Sequence, residues 1–562
     1  MRKEFNITGL CVPGKHYMVD LGSRLEQMKK MVDQGQYFTI NRARQYGKTT
    51  TLAALAEYLK KEYIVVFLDF QMIGSAMYDR EDSFARAFAA CFLDEFRSEC
   101  ETMSGREDRA WSETGRDLSG SADVVSESET NALDRVVEAL EKSLANREEP
   151  FYLLQLFKGL TAVCRAVGRP VVLMADEVDS AADNQVFLDF LSQLRKYYLE
   201  RARKGTVTFH CVILASVYDV KNLKRKLRPG EEHQRNSPWN IAVDLTLDMS
   251  FSKNDIAGML REYETDVHTG MDIDGMAGLL AEETSGYPFL VCRLCRIMDM
   301  ELPGTERFPD RHAAWSRAGF LEAVRILVSE KNTLFDSLNH KLEDYPELER
   351  VICRLLFNGE RIVYNPDVEE IETAMLFGFV KREGAAVAIA NRIFETRLYD
   401  RFLTSSEWKE NSLTQASFSD INGFVVDGHL NMRRILEKFT QHFQELYGEE
   451  DERFVEEYGR RFFLLYLRPI INGTGNFYIE TQTRDRKRTD VIVDYHGEQF
   501  VIEMKIWHGK EYHERGEQQL IGYLQNYRKT TGYLLSFNFN QKKETGVFER
   551  VIGEYRIVEA VV

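Results

Sequence analysis

QYFTINRARQYGKTTTLAALAEYL, residues 36–59, decides the fold class. A β-branched and aromatic run gives way to a short polar loop and then, from Lys48, to apolar residues at helical spacing. Strand, tight loop, Gly-Lys-Thr and helix are the parts of a triphosphate-binding loop (P-loop). Backbone amides and the helix amino terminus face the phosphates, a lysine bridges them, and a hydroxyl holds magnesium. Gly47 is therefore read as the point of close backbone approach, Lys48 as the phosphate ligand, Thr49 as the metal ligand, and Thr50 as part of the same cofactor-binding turn. One residue departs from the GxxxxGK[ST] pattern: its first glycine falls at position 42, which here is Arg42. That change bears on the loop's entry and on the rate of hydrolysis more than on binding.

Outward from the loop, three more apolar runs, YIVVFLDF (63–70), PVVLMAD (170–176) and FHCVILAS (209–216), alternate with long amphipathic stretches. This is the pattern of a parallel sheet covered by helices. Asp176 and Glu177 stand directly after the PVVLMAD run, where an aspartate can hold magnesium and a glutamate can orient or deprotonate a water. Asp179 is read as a plain turn residue. Ser216, at the end of a further strand, is read either as a γ-phosphate sensor or as a structural serine. Arg225, Arg228 and Arg235 fit a basic solvated loop better than a set of charge stabilisers. Together with HYMVDLGSRLEQM (16–28) and SGYPFLV (285–291), these residues resemble the AAA-like ATPase domains of bacterial ATP-binding protein families that carry a nuclease-like tail. The resemblance covers about residues 5–300 and implies ATP as the nucleotide; no guanine-reading NKxD follows the last strands.

The Ser-, Gly- and acid-rich stretch 104–131 is read as a mobile surface insertion or a solvated linker. Helical spacing from about Thr246, with Ser252 as a cap, suggests a helical lid. Residues from about Asn332 to Leu403 read as helices followed by a hairpin around Glu383 and Gly384, which suggests a winged helix serving DNA binding or spacing. A polar connector, 405–419, precedes the last unit.

In that unit, DVIVDY and QFVIEMKIW form two strands joined by the turn HGE. Alternation puts Glu503 and Lys505 on one face, and Asp490 opens the neighbouring strand. Two carboxylates suit magnesium, and a lysine can stabilise a metal-bound hydroxide and charge on phosphorus, which is the equipment of phosphodiester hydrolysis. The spacing resembles the PD-(D/E)XK nuclease superfamily, with Thr489 where that name has its proline. Gln519 and Tyr523, four apart on a helical stretch, resemble the QxxxY helix of the branch related to the RecB exonuclease domain, which implies that they contact the active site or the DNA. Glu456 and Glu457 read as a solvated helix face rather than as extra ligands. RDRKR (484–488) reads as a phosphate-gripping run or a bare exposed turn, and His508 and His513 as surface loop residues with no metal role.

Composition bounds the rest. The chain has 562 residues, 44% hydrophobic and 29% charged, enough for three or four domains with cores of their own. Lys and Arg number 73 against 89 Asp and Glu, a net charge of −16, which excludes non-specific coating of nucleic acid but not a local basic cleft. Eight scattered cysteines read as buried reduced thiols, with no second pair to complete a zinc site beside Cys292 and Cys295. The apolar runs are too short to span a bilayer and the amino terminus lacks the core of a signal peptide, so a cytoplasmic protein without membrane contact is expected.

The expected fold is α/β and multidomain: a P-loop parallel sheet over 1–245, a helical lid over 246–330, a winged-helix spacer over 331–410, and a PD-(D/E)XK-like α/β/α nuclease domain over 411–562. The expected cofactors are ATP and Mg2+ and the expected partner is DNA, with a second copy or a partner protein left open. The rival reading is a nucleotide-dependent switch, or a DNA- or partner-binding protein, whose nuclease-like tail is catalytically inactive.

Overall fold

Four of the apolar runs form strands, β1 (Phe38–Asn41), β2 (Ile64–Asp69), β3 (Val171–Asp176) and β4 (Cys211–Ser216), joined at the edge by β5 (Val243–Asp244). The computed structural model describes residues 2–113, 127–181, 184–217, 239, 241–245, 248–356, 362–403, 423–426, 428–447, 456–471, 475–480, 489–495, 498–507, 510–538, 540 and 543–562. Positions 103–113, 127–131, 244, 403, 446–447, 456–458, 460–461, 465, 468–469, 475–480, 489–490, 506, 510–513, 515 and 526–527 are described by their backbone alone.

The strand order is β2-β3-β4-β1-β5, and every pairing is parallel. Parallel pairing requires crossovers that cover both faces, so β2, β3 and β4 are apolar up to their last residue. On one face lies the helix α2 (Lys48–Leu59), whose Leu52, Leu55 and Leu59 pack with Phe38, Ile40, Val172 and Met174. The other face meets helices α3 (Glu81–Glu113), α5 (Leu153–Ala166) and α6 (Gln185–Lys204), with Phe84, Phe88, Phe157 and Phe190 among the packed side chains. The fold is thus α/β with a parallel central sheet.

The stretch read as a surface insertion is shorter than its composition suggests. Helix α3 continues into it as far as Glu113 and α4 (Glu127–Ala145) begins inside it, because its Ala, Glu and Arg residues favour helix; residues 114–126 lie outside those described. The connector 405–419 also lies outside them.

The chain divides into two compact units, Met1–His268 with Tyr287–Cys292, and Thr269–Gly286 with Arg293–Val562, a coarser division than the four domains expected. Ser252 caps the helix Lys253–Val267, its side chain accepting from the Asp255 amide at 3.1 Å. In the second unit, β6 (Val380–Glu383) and β7 (Ala386–Ile389) form the antiparallel hairpin around Gly384. The helix preceding it, Glu369–Leu376, opens with Glu369, Glu370 and Glu372, and Lys381 of β6 donates to the Ser285 hydroxyl at 2.8 Å.

After the short β8 (Val425–Val426) and β9 (His429–Leu430) comes a six-stranded mixed sheet of β10 (Gly475–Glu480), β11 (Thr489–Tyr495), β12 (Glu498–Ile506), β13 (Thr531–Phe537), β14 (Gly546–Ile552) and β15 (Tyr555–Val561). Its order is β10-β11-β12-β13-β15-β14, with β12, β13 and β15 mutually parallel. The helix Lys510–Tyr527 crosses from β12 to β13 and lays Leu520, Tyr523 and Leu524 on Val501, Leu534 and Ile557. The opposite face receives the helices Met432–Tyr447 and Glu456–Ile471; the Phe443 and Phe537 rings lie 5.5 Å apart, and Gly459 is small enough to sit against the Phe537 ring.

Around the first sheet, one buried cation fixes the approach of α3, α4 and α5. Arg86 donates to Asp82 at 3.0 Å, to the Leu144 carbonyl at 2.7 Å and to the Glu149 carbonyl at 2.6 Å, while Asp82 also accepts from the Phe151 amide at 2.6 Å. Burial pushes the Asp82 carboxyl up, but the Phe151 amide and Arg86 outweigh it and hold the group below the usual carboxylate range. Arg86→Ala should destabilise the unit by about 2–4 kcal/mol in urea unfolding, since it strands a carboxylate and several carbonyls. Because the folded pKa of Asp82 is lowered, its contribution is present at neutral pH and should be lost as the pH falls through that lowered value. Asp82→Asn should flatten that acid limb.

Candidate functional site

Parallel strands all end on the same edge, and here the carboxyl ends of β1, β3 and β4 bring Asn41, Asp176 and Ser216 together; ligands of open α/β sheets bind outside such ends. The loop after β1 enters at Arg42, whose amide donates to the Ser216 carbonyl at 3.3 Å while its guanidinium turns back to the Asn41 carbonyl at 2.9 Å. The loop then curls through Gln45 (φ 57°) and Gly47 (φ 79°) into α2. Left-handed backbone at position 47 favours glycine, so Gly47 is needed for the turn itself.

Lys48 is buried and donates to the Arg42 carbonyl at 3.0 Å and the Ala43 carbonyl at 3.2 Å. Burial pulls its pKa down; Glu177, Asp179 and Asp176 act in the opposite direction. The Thr49 hydroxyl donates to Asp176 Oδ2 at 2.6 Å, and Asp176 Oδ1 accepts from the Glu177 amide at 2.9 Å. Thr50 accepts from the Cys11 amide at 3.2 Å, tying the amino-terminal segment to the head of α2. Glu177 has φ 53°, a backbone state costly for a side-chain-bearing residue, and its carboxyl is pushed up by burial and by neighbouring Asp179.

Two features escape a reading by motif. Asp179 is more than a plain turn residue: its Oδ1 accepts from the Val217 amide at 3.2 Å and lies 3.4 Å from the Ser216 hydroxyl, locking the turn after β3 to the end of β4. Tyr287 of the SGYPFLV segment donates to the Arg44 carbonyl and packs its ring on Tyr46 at 4.5 Å, and Tyr46 in turn bonds the Ser250 hydroxyl at 2.8 Å. The loop is thereby braced from outside. Arg225, Arg228 and Arg235 lie outside the described residues.

The second constellation sits on β12. Glu503 is 0% exposed, and Lys505 Nζ lies 3.1 Å from its Oε1. Val501, two residues back, packs under the helix Lys510–Tyr527, so Glu503 and Lys505 face that helix as well. The helix passes directly over the lysine stem: a Cβ on Gly516 would stand 3.5 Å from Lys505 Cγ. Further along it, Gln519 Nε2 donates to the Tyr523 hydroxyl at 3.0 Å. Val491 pairs with Ile502, and carrying that register one residue further sets position 490 opposite Glu503 on the same face; the Asp490 side chain is outside the description. So are the side chains of Glu456, Glu457 and His513, and all of RDRKR and His508.

None of the eight cysteines, Cys292 and Cys295 included, forms a disulfide. Among the described residues, no three His, Cys, Asp or Glu side chains form a ready metal cage, and no helix is long and apolar enough to cross a membrane. The hard oxygens of Thr49 with Asp176, and of buried Glu503, suit magnesium, which takes one or two protein ligands and fills its shell with water and phosphate oxygens.

No protein-family profile matches the chain, and no curated protein does. Among solved structures, the Walker-type ATPase PABY2304 of Pyrococcus abyssi aligns at 12% identity over 70% of this chain and 99% of its own, with a TM-score of 0.41. The Aeropyrum pernix ORC2 protein, in ADPNP–ADP complexes, aligns at 11% identity over 71% and 98%, with a TM-score of 0.38. The Aeropyrum pernix ORC1 protein in complex with DNA aligns at 13% identity over 68% and 93%, with a TM-score of 0.27. At such scores, the nucleotides and DNA of those complexes remain facts about those proteins.

Lys48→Ala should weaken ATP binding by roughly tenfold or more, the loss of a charge-assisted contact, as read by fluorescent-nucleotide titration. Arg42→Gly should leave that affinity within about twofold, because the Arg42 side chain already rests on its own strand.

Proposed function

We propose that this chain binds and hydrolyses ATP at the β1–β3 edge and that its carboxy-terminal sheet is a magnesium-dependent DNA nuclease under nucleotide control. The nucleotide half rests on the Thr49–Asp176 hydrogen bond of 2.6 Å, which holds two oxygen ligands of one cation beside Lys48. The nuclease half is supported by the fully buried Glu503, paired with Lys505 beneath the helix carrying Gln519 and Tyr523.

In the nucleotide site, the Lys48 ammonium exchanges the Arg42 and Ala43 carbonyls for phosphate oxygens. Glu177, a carboxylate made more basic by burial and by Asp179, takes a proton from the attacking water at its side-chain oxygens. In the nuclease site, Asp490 and Glu503 are the metal ligands, Lys505 steadies the nucleophile and the charge gathering on phosphorus, and Gln519 and Tyr523 line the same face. Magnesium, when bound at either site, supplies charge neutralisation of phosphate oxygens and a more acidic water. Residues 246–330 serve as a lid. The 331–410 segment serves as a spacer: a helix that opens on Glu369, Glu370 and Glu372 repels phosphates rather than reading them.

Cleavage of plasmid DNA in Mg2+, with and without ATP, tests this reading. Lys505→Ala should lower cleavage about a hundredfold or more while ATP turnover persists. Lys48→Ala should abolish the response of cleavage to ATP. Tight DNA binding without cleavage by the wild-type chain would select the inactive-tail reading, and equal cutting with and without ATP would reject nucleotide control.

A further inference from the structure

The face that carries Glu503 and Lys505 continues across two more strands. Lys505 is the register partner of Ser536 on β13, and Leu534 on β13 is the partner of Glu559 on β15. Alternation then sets Glu503, Lys505, Ser536 and Glu559 on one face of the sheet, beneath the helix Lys510–Tyr527. Ser536 is 1% exposed and Glu559 is 3% exposed. The Ser536 hydroxyl donates to Glu559 Oε1 at 3.1 Å. On its other side Glu559 Oε2 lies 3.7 Å from Arg550, which also donates to Glu517 of the covering helix at 3.3 Å. The Arg550–Glu517 pair already ties helix to sheet. Glu559 adds a second carboxylate to the interior, and a buried charge is costly unless its partners compensate it.

We propose that Glu559 is a positioning residue for Lys505, acting through Ser536; the proposal rests on the nuclease reading given above. A serine hydroxyl has one proton and two lone pairs. With its proton committed to Glu559, Ser536 presents lone pairs to donors, and the cation at its register-partner position is Lys505. Side chains of partners on neighbouring strands stand about 5 Å apart, within reach of a lysine ammonium. At present Lys505 leans on Glu503 Oε1. Once a divalent cation claims that oxygen, Ser536 offers the ammonium an acceptor on the same face, and the negative charge of Glu559 behind it holds the ammonium there, beside the phosphate. Arg550, 3.7 Å from the far oxygen of Glu559, draws on that side and leaves the near oxygen to Ser536.

The test uses the full chain, plasmid DNA and Mg2+, with Glu559→Gln, Ser536→Ala and the double variant. Each single variant should lose roughly tenfold in kcat, the size of one misplaced transition-state contact, with the DNA KM and the Mg2+ half-saturation within about twofold of wild type. The double variant should be no worse than either single one, since both break the same relay. ATP turnover and the thermal midpoint should hold. Wild-type kcat in either single variant overturns the proposal, as do additive losses in the double variant. A fallen thermal midpoint with matching loss of ATP turnover also overturns it, by assigning Glu559 to the helix clamp alone. If Glu559→Gln does not fold, Ser536→Ala, which removes one hydroxyl, decides. A wild-type chain that cuts no DNA overturns the nuclease reading and this proposal with it, whereas wild-type cutting with unaffected variants overturns this proposal only.

Discussion

The geometry of the strand-end edge depends on the short hydrogen bond between Thr49, at the head of α2, and Asp176, at the end of β3. β1 and β3 are not neighbours: β4 lies between them, so the contact spans the tip of an intervening strand. That is possible only because all the pairings run the same way, which puts every strand end on one edge. The same constraint explains Asp179. A turn that crosses in front of β4 must be held off its exposed end groups, and Asp179 does this by accepting from the Val217 amide. Three carboxylates and one buried ammonium then share the edge, and their opposite charges offset part of the cost of burying them there.

A similar logic operates in the carboxy-terminal sheet, built from different parts. Antiparallel β11 and β12 bring position 490 towards Glu503, but Lys505, Ser536 and Glu559 meet because β12, β13 and β15 run parallel. The crossover helix that parallel strands demand is the same element that covers the polar residues and supplies Gln519 and Tyr523. Burial and chemistry are therefore coupled. At Gly516 the helix rides over the Lys505 stem, where an added Cβ would make only ordinary contact, and the apolar Leu520, Tyr523 and Leu524 anchor it against the sheet.

Much of this was legible in the residue order, because local rules govern it. The four strands, the start of α2 at Lys48, the Ser252 cap and the hairpin at Gly384 each follow from spacing, capping or turn chemistry within a few residues. What was not legible depends on distant partners. Asp179 and Ser216 are 37 positions apart, and Tyr287 is 243 from Arg44, so no local pattern announces either contact. Glu559 did leave a trace. In YRIVEAV it takes an inward position between apolar neighbours, where the alternation of a buried strand calls for another aliphatic residue. A break of that kind marks either a buried pair or a site, and only the register of β13 against β15 shows that here it faces Ser536. The stretch at 104–131, read as a mobile surface insertion or a solvated linker, is entered from its two ends by α3 and α4, whose Ala, Glu and Arg residues favour helix.

The charge balance gives these local arrangements a common consequence. Under the proposed function, a chain with net charge −16 would meet polyphosphates or DNA against a repulsive field, so approach would rely on a few placed cations and on divalent ions. Lys48 is held in reserve on two backbone carbonyls, which cost little to give up, and Lys505 on a carboxylate that a metal would claim. In the function proposed above, ligand entry would displace or engage the partner of each ammonium, so the event that brings in phosphate and cation would also redirect the lysine. A cation parked on a permanent, undisturbed partner would be lost to chemistry; one parked on an exchangeable partner is kept ordered until it is used.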